Sequence, residues 1–227
     1  MSGPRIAITR AQPEAQRTAE KLAALGAEPI IAPLLEVKER TFDTDLGGVQ
    51  ALLFTSANGV RASARIVADR ALPALTVGDA TARAAREAGF SDVRSAGGDV
   101  AALSALANAS LDASAGTLLY LSGADVAADL VGWLIAAGFS ATRRIVYEAR
   151  VVAALPGVYN EPLDIIAFHS ARAARAFAAL GAPNAGRLIA ACISPAVAAA
   201  AAKAKWARVV VASAPQEEAL WRATLEG

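Results

Sequence analysis

The chain has 227 residues and a mass of 23.1 kDa, room for one large domain or two small ones. Its 22 basic residues against 21 acidic ones leave a net charge of +1, which excludes a generic polyanion binder such as a bulk nucleic-acid protein. Hydrophobic residues at 55% and charged ones at 19% exclude intrinsic disorder; 60 of the residues are Ala, so much of the apolar content favours helix without filling volume.

Short apolar runs alternate with amphipathic, Ala-rich segments. Ile6–Thr9 reads as a buried strand and Pro13–Leu25 as a helix closed by Gly26. Strands follow at Pro29–Leu35 and Ala51–Thr55, then a helix at Gly59–Asp69, a strand at Leu75–Val77, and a helix at Thr81–Ala88 ended by Gly89. Asp92–Arg94 reads as a strand and Val100–Asn108 as a helix. Strands separated by helices of this length predict parallel βαβ units with helices on both sheet faces.

The pattern then recurs. Thr117–Leu121, a helix over Asp125–Ala137, Gly138 and Arg144–Tyr147 repeat the first segment at an offset of 112, so that Gly26 matches Gly138 and Leu35 matches Tyr147. Leu53-Phe54-Thr55-Ser56-Ala57 is echoed by Ala167-Phe168-His169-Ser170-Ala171 at 114, and Leu75-Thr76-Val77-Gly78 by Ala191-Cys192-Ile193-Ser194 at 116. An internal duplication accounts for the slow drift of the offset. It predicts an α/β fold of two similar lobes, each a parallel sheet flanked by helices, with a cleft between them. Parallel sheets bind ligands beyond the carboxyl ends of their strands, where this chain has polar, Gly-rich segments that lead into helices; free helix-start N–H groups suit an anion.

Other signatures are absent from the sequence. There is no Gly-x-Gly-x-x-Gly after the first strand and no P-loop, and one Cys with one His cannot build a zinc site. Cys192 excludes an internal disulfide, fits a reducing compartment, and falls inside a strand as a buried thiol. His169 reads equally as a general base or as an incidental loop residue. The uncharged stretch Leu188–Ala202 has 15 residues and includes Pro195, short of the roughly 20 that span a membrane. Met1–Arg10 lacks the apolar core of a signal peptide. The expectation is a cytoplasmic protein that engages neither nucleic acid nor membrane.

Seven segments in order resemble the uroporphyrinogen-III synthase family. They are Thr9-Arg10; Phe54-Thr55-Ser56-Ala57-Asn58-Gly59-Val60; Val77-Gly78-Asp79-Ala80-Thr81-Ala82; Leu121-Ser122-Gly123; Val146-Tyr147-Glu148; Asp164-Ile165-Ile166-Ala167-Phe168-His169-Ser170; and the Pro215–Leu220 tail. The resemblance implies a discontinuous first lobe, residues 1–36 plus 152–227, and a second lobe of 39–148, joined by strand-like linkers near 36–39 and 147–151. It implies an enzyme of porphyrin (heme, tetrapyrrole) biosynthesis, a cyclising hydro-lyase. Such an enzyme converts the linear tetrapyrrole hydroxymethylbilane, with its eight carboxylates, to uroporphyrinogen III. Water is lost and the terminal ring is inverted, without cofactor or metal. The family's usual state implies a monomer, and the pathway leaves room for a transient hand-over from the preceding enzyme.

The same resemblance places the acid that assists loss of hydroxide at Tyr147, since a phenol is a proton donor at neutral pH. It places substrate carboxylates at Arg10, Thr55, Ser56, Gly78, Thr81, Ser122, Gly123, Ser170 and Ser194, through hydroxyls, helix-start N–H groups and one guanidinium. One turn departs from the family: Ser194-Pro195-Ala196-Val197 lacks the hydroxyl residues expected after the proline. The competing class is a two-lobe, hinge-closing binding protein for a small polyanion, which fold alone could not separate from the enzyme.

Overall fold

Every buried strand residue of this protein has to face apolar material on both sides, and the chain meets that demand with two sets of helices around two sheets. A computed structural model describes residues 3–226. In chain order the elements are β1 (Arg5–Ile8), α1 (Glu14–Ala24), β2 (Glu28–Ile31), β3 (Leu35–Glu39), β4 (Val49–Phe54), α2 (Ala57–Ala64), β5 (Ala74–Thr76), α3 (Asp79–Glu87), β6 (Val93–Ser95) and α4 (Val100–Ser110). They continue with β7 (Thr117–Gly123), α5 (Leu130–Ala136), β8 (Ser140–Val151), β9 (Ile165–Phe168), α6 (Ala171–Ala179), β10 (Ile189–Cys192), α7 (Pro195–Ala201), β11 (Arg208–Val211) and α8 (Glu217–Leu225). The chain forms two compact units: one runs up to Glu36 and resumes at Arg150, and the other is Val37–Ala149. No helix among the described residues is long and apolar enough to cross a membrane.

In the discontinuous unit, five strands lie in the order β11-β10-β9-β1-β2, with parallel pairing throughout. Successive residues go to opposite faces: Ile6, Ile8, Ile165 and Ala167 join one buried cluster, while Ala7, Ile166 and Phe168 join the other. That is why these strands read as continuous apolar runs. Many of the helix positions on these clusters are Ala, so large side chains must fill the space. Phe177 lies 5.3 Å from Tyr159, 5.9 Å from Phe168 and 5.5 Å from Trp206, ring centre to ring centre.

In the contiguous unit, six strands lie in the order β3-β8-β7-β4-β5-β6. Leaving out the edge strand β3, the order β6-β5-β4-β7-β8 reproduces β11-β10-β9-β1-β2 element for element. The helix-ending glycines Gly26 and Gly138 both take the left-handed conformation, at φ 80° and 93°.

Four boundaries differ from the sequence expectation. The strand expected over Pro29–Leu35 is two strands in different sheets: β2 ends at Ile31, Ala32 and Leu34 on either side of Pro33 still donate to the Ile8 and Thr9 carbonyls at 3.0 Å, and β3 starts at Leu35 in the other sheet. The helix expected over Gly59–Asp69 starts earlier, at the Ser56 cap, and stops at Ala64, because the Arg70 guanidinium donates to the carbonyls of Ala64 and Val67. The helix expected from Asp125 starts at Leu130, where Asp129 Oδ1 accepts from the Gly132 N–H at 2.9 Å. The strand expected over Arg144–Tyr147 extends to twelve residues, since its pairing with β7 already begins at Thr117↔Ser140 and takes in the polar residues before the apolar run.

Two outcomes follow from this packing. Phe177→Ala empties the centre of the aromatic cluster and should destabilise the discontinuous unit by about 3–5 kcal/mol, read from denaturant unfolding. The segment Val37–Ala149 carries its own sheet and both buried faces. Expressed alone, it should unfold in a single cooperative transition; a gradual, non-cooperative loss of circular dichroism would refute this.

Candidate functional site

In each unit the polar candidates collect where strands end and helices begin, because the strand interiors are closed off by apolar packing. In the contiguous unit, Ser56 follows β4 and caps α2, its hydroxyl accepting from the Asn58 N–H at 3.1 Å. Thr55 Oγ1 lies 2.7 Å from the Tyr120 hydroxyl. Gly78 caps α3 in extended backbone, and Thr81 within that helix is 6% exposed, its N–H donating to the Gly78 carbonyl at 3.0 Å. Ser122 and Gly123 end β7. Ser122 is 2% exposed, and its hydroxyl accepts from Arg143 Nε at 2.7 Å.

Tyr147 lies on β8 opposite Gly123 and is half-buried against the cluster that holds Leu52, Phe54, Leu121 and Val146. Tyr120 is buried, and that burial pushes its phenol above the ordinary value, against the opposing effects of the Thr55 hydroxyl and the Arg143 guanidinium. Tyr120 and Arg143 share a pocket of about 470 Å³ with residues 126–131. Neither side chain was singled out by the sequence. Both sit mid-strand, where their polar ends reach past the sheet, and only the strand pairing Tyr120↔Arg143 brings them together.

In the discontinuous unit, Ser170 caps α6, accepting from the Ala173 N–H at 3.1 Å, and Ser194 caps α7, accepting from the Val197 N–H at 3.4 Å. Arg10 follows β1, but its guanidinium is engaged: Nη1 lies 2.7 Å from Glu217 Oε1 and 3.3 Å from Thr18 Oγ1. Glu217, at the start of α8, also takes Thr18 Oγ1 at 2.6 Å and Lys21 Nζ at 2.9 Å. Burial acts to raise this carboxyl, yet His169, Thr18 and Lys21 outweigh it and hold Glu217 well below the usual carboxylate range.

His169 is 10% exposed, with Nε2 3.2 Å from Glu217 Oε1 and its ring edge-on to Trp221. The Glu217 approach is at ion-pair distance but off the hydrogen-bond axis, leaving both ring nitrogens without a well-formed hydrogen bond. Burial, together with Arg10 and Lys21, pushes the imidazole below its ordinary value, Glu217 opposing. Glu217 was visible in the sequence only as part of the Pro215–Leu220 tail; nothing in the spacing joined it to Arg10, 207 residues away.

The model of the family described as uroporphyrinogen-III synthase HemD matches residues 16–222. The chain belongs to the uroporphyrinogen-III synthase family. Among solved structures, uroporphyrinogen-III synthetase from Helicobacter pylori superposes with a TM-score of 0.68 at 19% identity, covering 98% of this chain and 99% of that one. A mutant uroporphyrinogen III synthase from the extremely thermophilic bacterium Thermus thermophilus gives a TM-score of 0.54 at 18% identity, covering 99% and 100% of the two chains. At such identities these likenesses speak for the two-domain α/β fold. No protein of curated function matches the sequence. The uroporphyrinogen-III synthase assignment makes the chain a cyclising lyase that closes hydroxymethylbilane in porphyrin biosynthesis.

The buried imidazole of this synthase sets a pH response. Because His169 is depressed in the folded state, the unfolded chain takes up its proton first. The stability gained by keeping the ring neutral is present above about pH 6.5 and is lost as pH falls through that value toward the lowered native one. Melting temperature should therefore drop between about pH 7 and pH 5 in the wild type and drop less in His169→Gln; parallel curves would refute the assignment.

Proposed function

We propose that Tyr147 is the acid that assists departure of hydroxide from hydroxymethylbilane. Ionisation of the hydroxymethyl group leaves an azafulvene that the terminal ring attacks at its substituted carbon, and the spiro intermediate then fragments and recloses. The pyrrole nitrogens supply the electronic push. The protein has to hold the two ends in near-attack geometry and deliver one proton to a poor leaving group. The observation that carries the reading is the seat of the Tyr147 phenol: half-buried at the carboxyl end of a parallel sheet, against a glycine that leaves it room.

The substrate's carboxylates are assigned to the strand-end groups: Thr55 and Ser56, the Gly78–Thr81 helix start, Ser170, Ser194 and Arg10. A cap hydroxyl accepts from its helix N–H through oxygen and keeps its own proton to donate outward. Arg10 can serve by shifting from Glu217 to a substrate carboxylate, an exchange of one charge-assisted pair for another. Ser122 and Gly123 contribute through the segment they form beside Tyr147. The enzyme acts as a cytoplasmic monomer and receives its substrate by transient hand-over from the enzyme that makes it.

Incubation with freshly generated hydroxymethylbilane, followed by separation of the I and III isomers, tests the reading. The III isomer should form well above the spontaneous background. Tyr147→Phe keeps the ring and its packing, and turnover should fall by about 10²-fold, the low end for a positioned acid because water can stand in. KM should stay within about threefold, since the carboxylates are held elsewhere. Turnover within about twofold of wild type would remove Tyr147 from the acid role.

A further inference from the structure

We infer that Arg143 is a positioning residue for Tyr147, acting through a clamp on the Ser122–Ala124 segment; the inference rests on the reading of Tyr147 as the acid. It begins with the ladder between β7 and β8. Pairing runs regularly from Thr117↔Ser140 to Ser122↔Ile145, then jumps to Gly123↔Tyr147. Val146 is the extra residue of a β-bulge. It is fully buried in the same cluster against which Tyr147 packs. Two successive side chains therefore lie on one face of the sheet. Regular alternation would send Tyr147 to the opposite face, the one occupied by Leu118 and Tyr120. The bulge is what aims the phenol.

The bulge falls at the last pair of the β7–β8 ladder; on the β3 side the Val146 carbonyl accepts from the Arg40 N–H at 2.9 Å, and on the β7 side bonds outside the ladder hold it. The Ala124 N–H donates to the Tyr147 carbonyl at 2.9 Å. Gly123 faces the ring: a Cβ at that position would sit 2.7 Å from Tyr147 Cζ and 2.8 Å from its hydroxyl oxygen, so only glycine allows the approach. Arg143, four residues before Tyr147 on the same strand, then fastens the segment from the other side. Its Nε donates to Ser122 Oγ at 2.7 Å, and its Nη2 donates to the carbonyls of Gly123 at 2.6 Å and Ala124 at 2.7 Å. Ser122 Oγ passes its own proton to the Gly123 carbonyl at 3.0 Å.

Three charge-assisted bonds from one planar fork converge on three consecutive residues, and the middle one is the surface on which the phenol rests. The competing role for Arg143 is direct. It also lines the 470 Å³ pocket beside Tyr120, where a substrate carboxylate could meet it. The two roles separate in kinetics: a clamp shows in turnover through the phenol, and a ligand shows in KM regardless of the phenol.

The experiment is a double-mutant cycle on the full chain, with hydroxymethylbilane as substrate and thermal unfolding as the fold control. Arg143→Gln should lower turnover by about 10- to 100-fold, as misplacement of a reacting group by an ångström or so does, with KM within about threefold. In the Tyr147→Phe background the same change should alter turnover by less than about twofold, since no proton donor remains to be misplaced. Equal losses in both backgrounds, or a loss carried by KM, would overturn the inference. Tyr147→Phe alone tells the two readings apart. If it is fully active, the acid reading fails and takes the clamp with it; if it is slow and the cycle is additive, the clamp alone fails. Should Arg143→Gln not fold, Arg143→Lys, which keeps the stem and the charge but not the planar fork that makes the three bonds, takes its place in the cycle with the same expected and overturning outcomes.

Discussion

Burying both faces of a parallel sheet drives most polar side chains of its inner strands to the strand ends, and much of this molecule follows from that. Ile6, Ala7 and Ile8 are fully buried, as are Leu52, Leu53 and Phe54, with no polar group among them. One residue later each strand reaches a hydroxyl: Thr9 donates to the Ala167 carbonyl at 2.7 Å, and Thr55 meets Tyr120. Helices that start at these points expose N–H groups, and a serine at three of the starts satisfies them. A family that must bind eight carboxylates while contributing little covalent chemistry is well served by such a surface.

The apolar periodicity was strong enough to place the elements from β1 to β8, with β2 and β3 read as one strand, because near-continuous runs flanked by Ala-rich helical segments allow few alternatives; β9 and β10 emerged through the repeat, and α6, α7, β11 and α8 were not placed. The repeat was legible as well, and the matching strand orders of the two sheets are its structural counterpart. What the sequence did not reveal were interactions made across long separations or by side chains of ambiguous character. Arg70 ends α2 by reaching back to carbonyls, which no helix propensity reports. Arg143 and Tyr120 look like ordinary charged and aromatic positions until β7 and β8 pair. Arg10 was read as a charge open to substrate, whereas Glu217, from the far end of the chain, already holds it.

The two strand-end clusters differ in kind. Around Tyr147 the groups are a phenol, hydroxyls, a glycine and one guanidinium spent on a hydroxyl and two backbone carbonyls, an arrangement that fixes the ring in place. Around Arg10 the groups are charged: a carboxylate that pairs with Arg10 and is held ionised by His169, Thr18 and Lys21, beside which the imidazole is pushed below its ordinary value by burial. Replacing Thr55 in one repeat by His169 in the other is the sequence-level mark of that divergence. The hydroxyl pairs with a second hydroxyl, and the imidazole sits beside an ion pair.

Strand continuity separates the repeats further. Leu35 and Tyr147 occupy matched positions at the offset of 112, and Pro33 matches Ile145. In the first repeat β2 ends at Ile31, Leu34 still donates to the Thr9 carbonyl at 3.0 Å, and the next strand, β3, becomes the edge of the other sheet. In the second, Ile145 keeps its N–H, and β8 runs unbroken through twelve residues. Only an unbroken β8 can carry Arg143, the Val146 bulge and Tyr147 in one rigid sequence, with a fixed distance between clamp and phenol. Placing a tyrosine at position 35 would therefore not recreate the seat of Tyr147. The strand there begins only at Leu35, no residue of β2 reaches it, and no glycine-ended β7 equivalent lies opposite, since β1 ends at Ile8 and is followed by Thr9 and Arg10. Duplication supplied two similar scaffolds; the continuity of one strand decides which of them can seat the phenol of Tyr147.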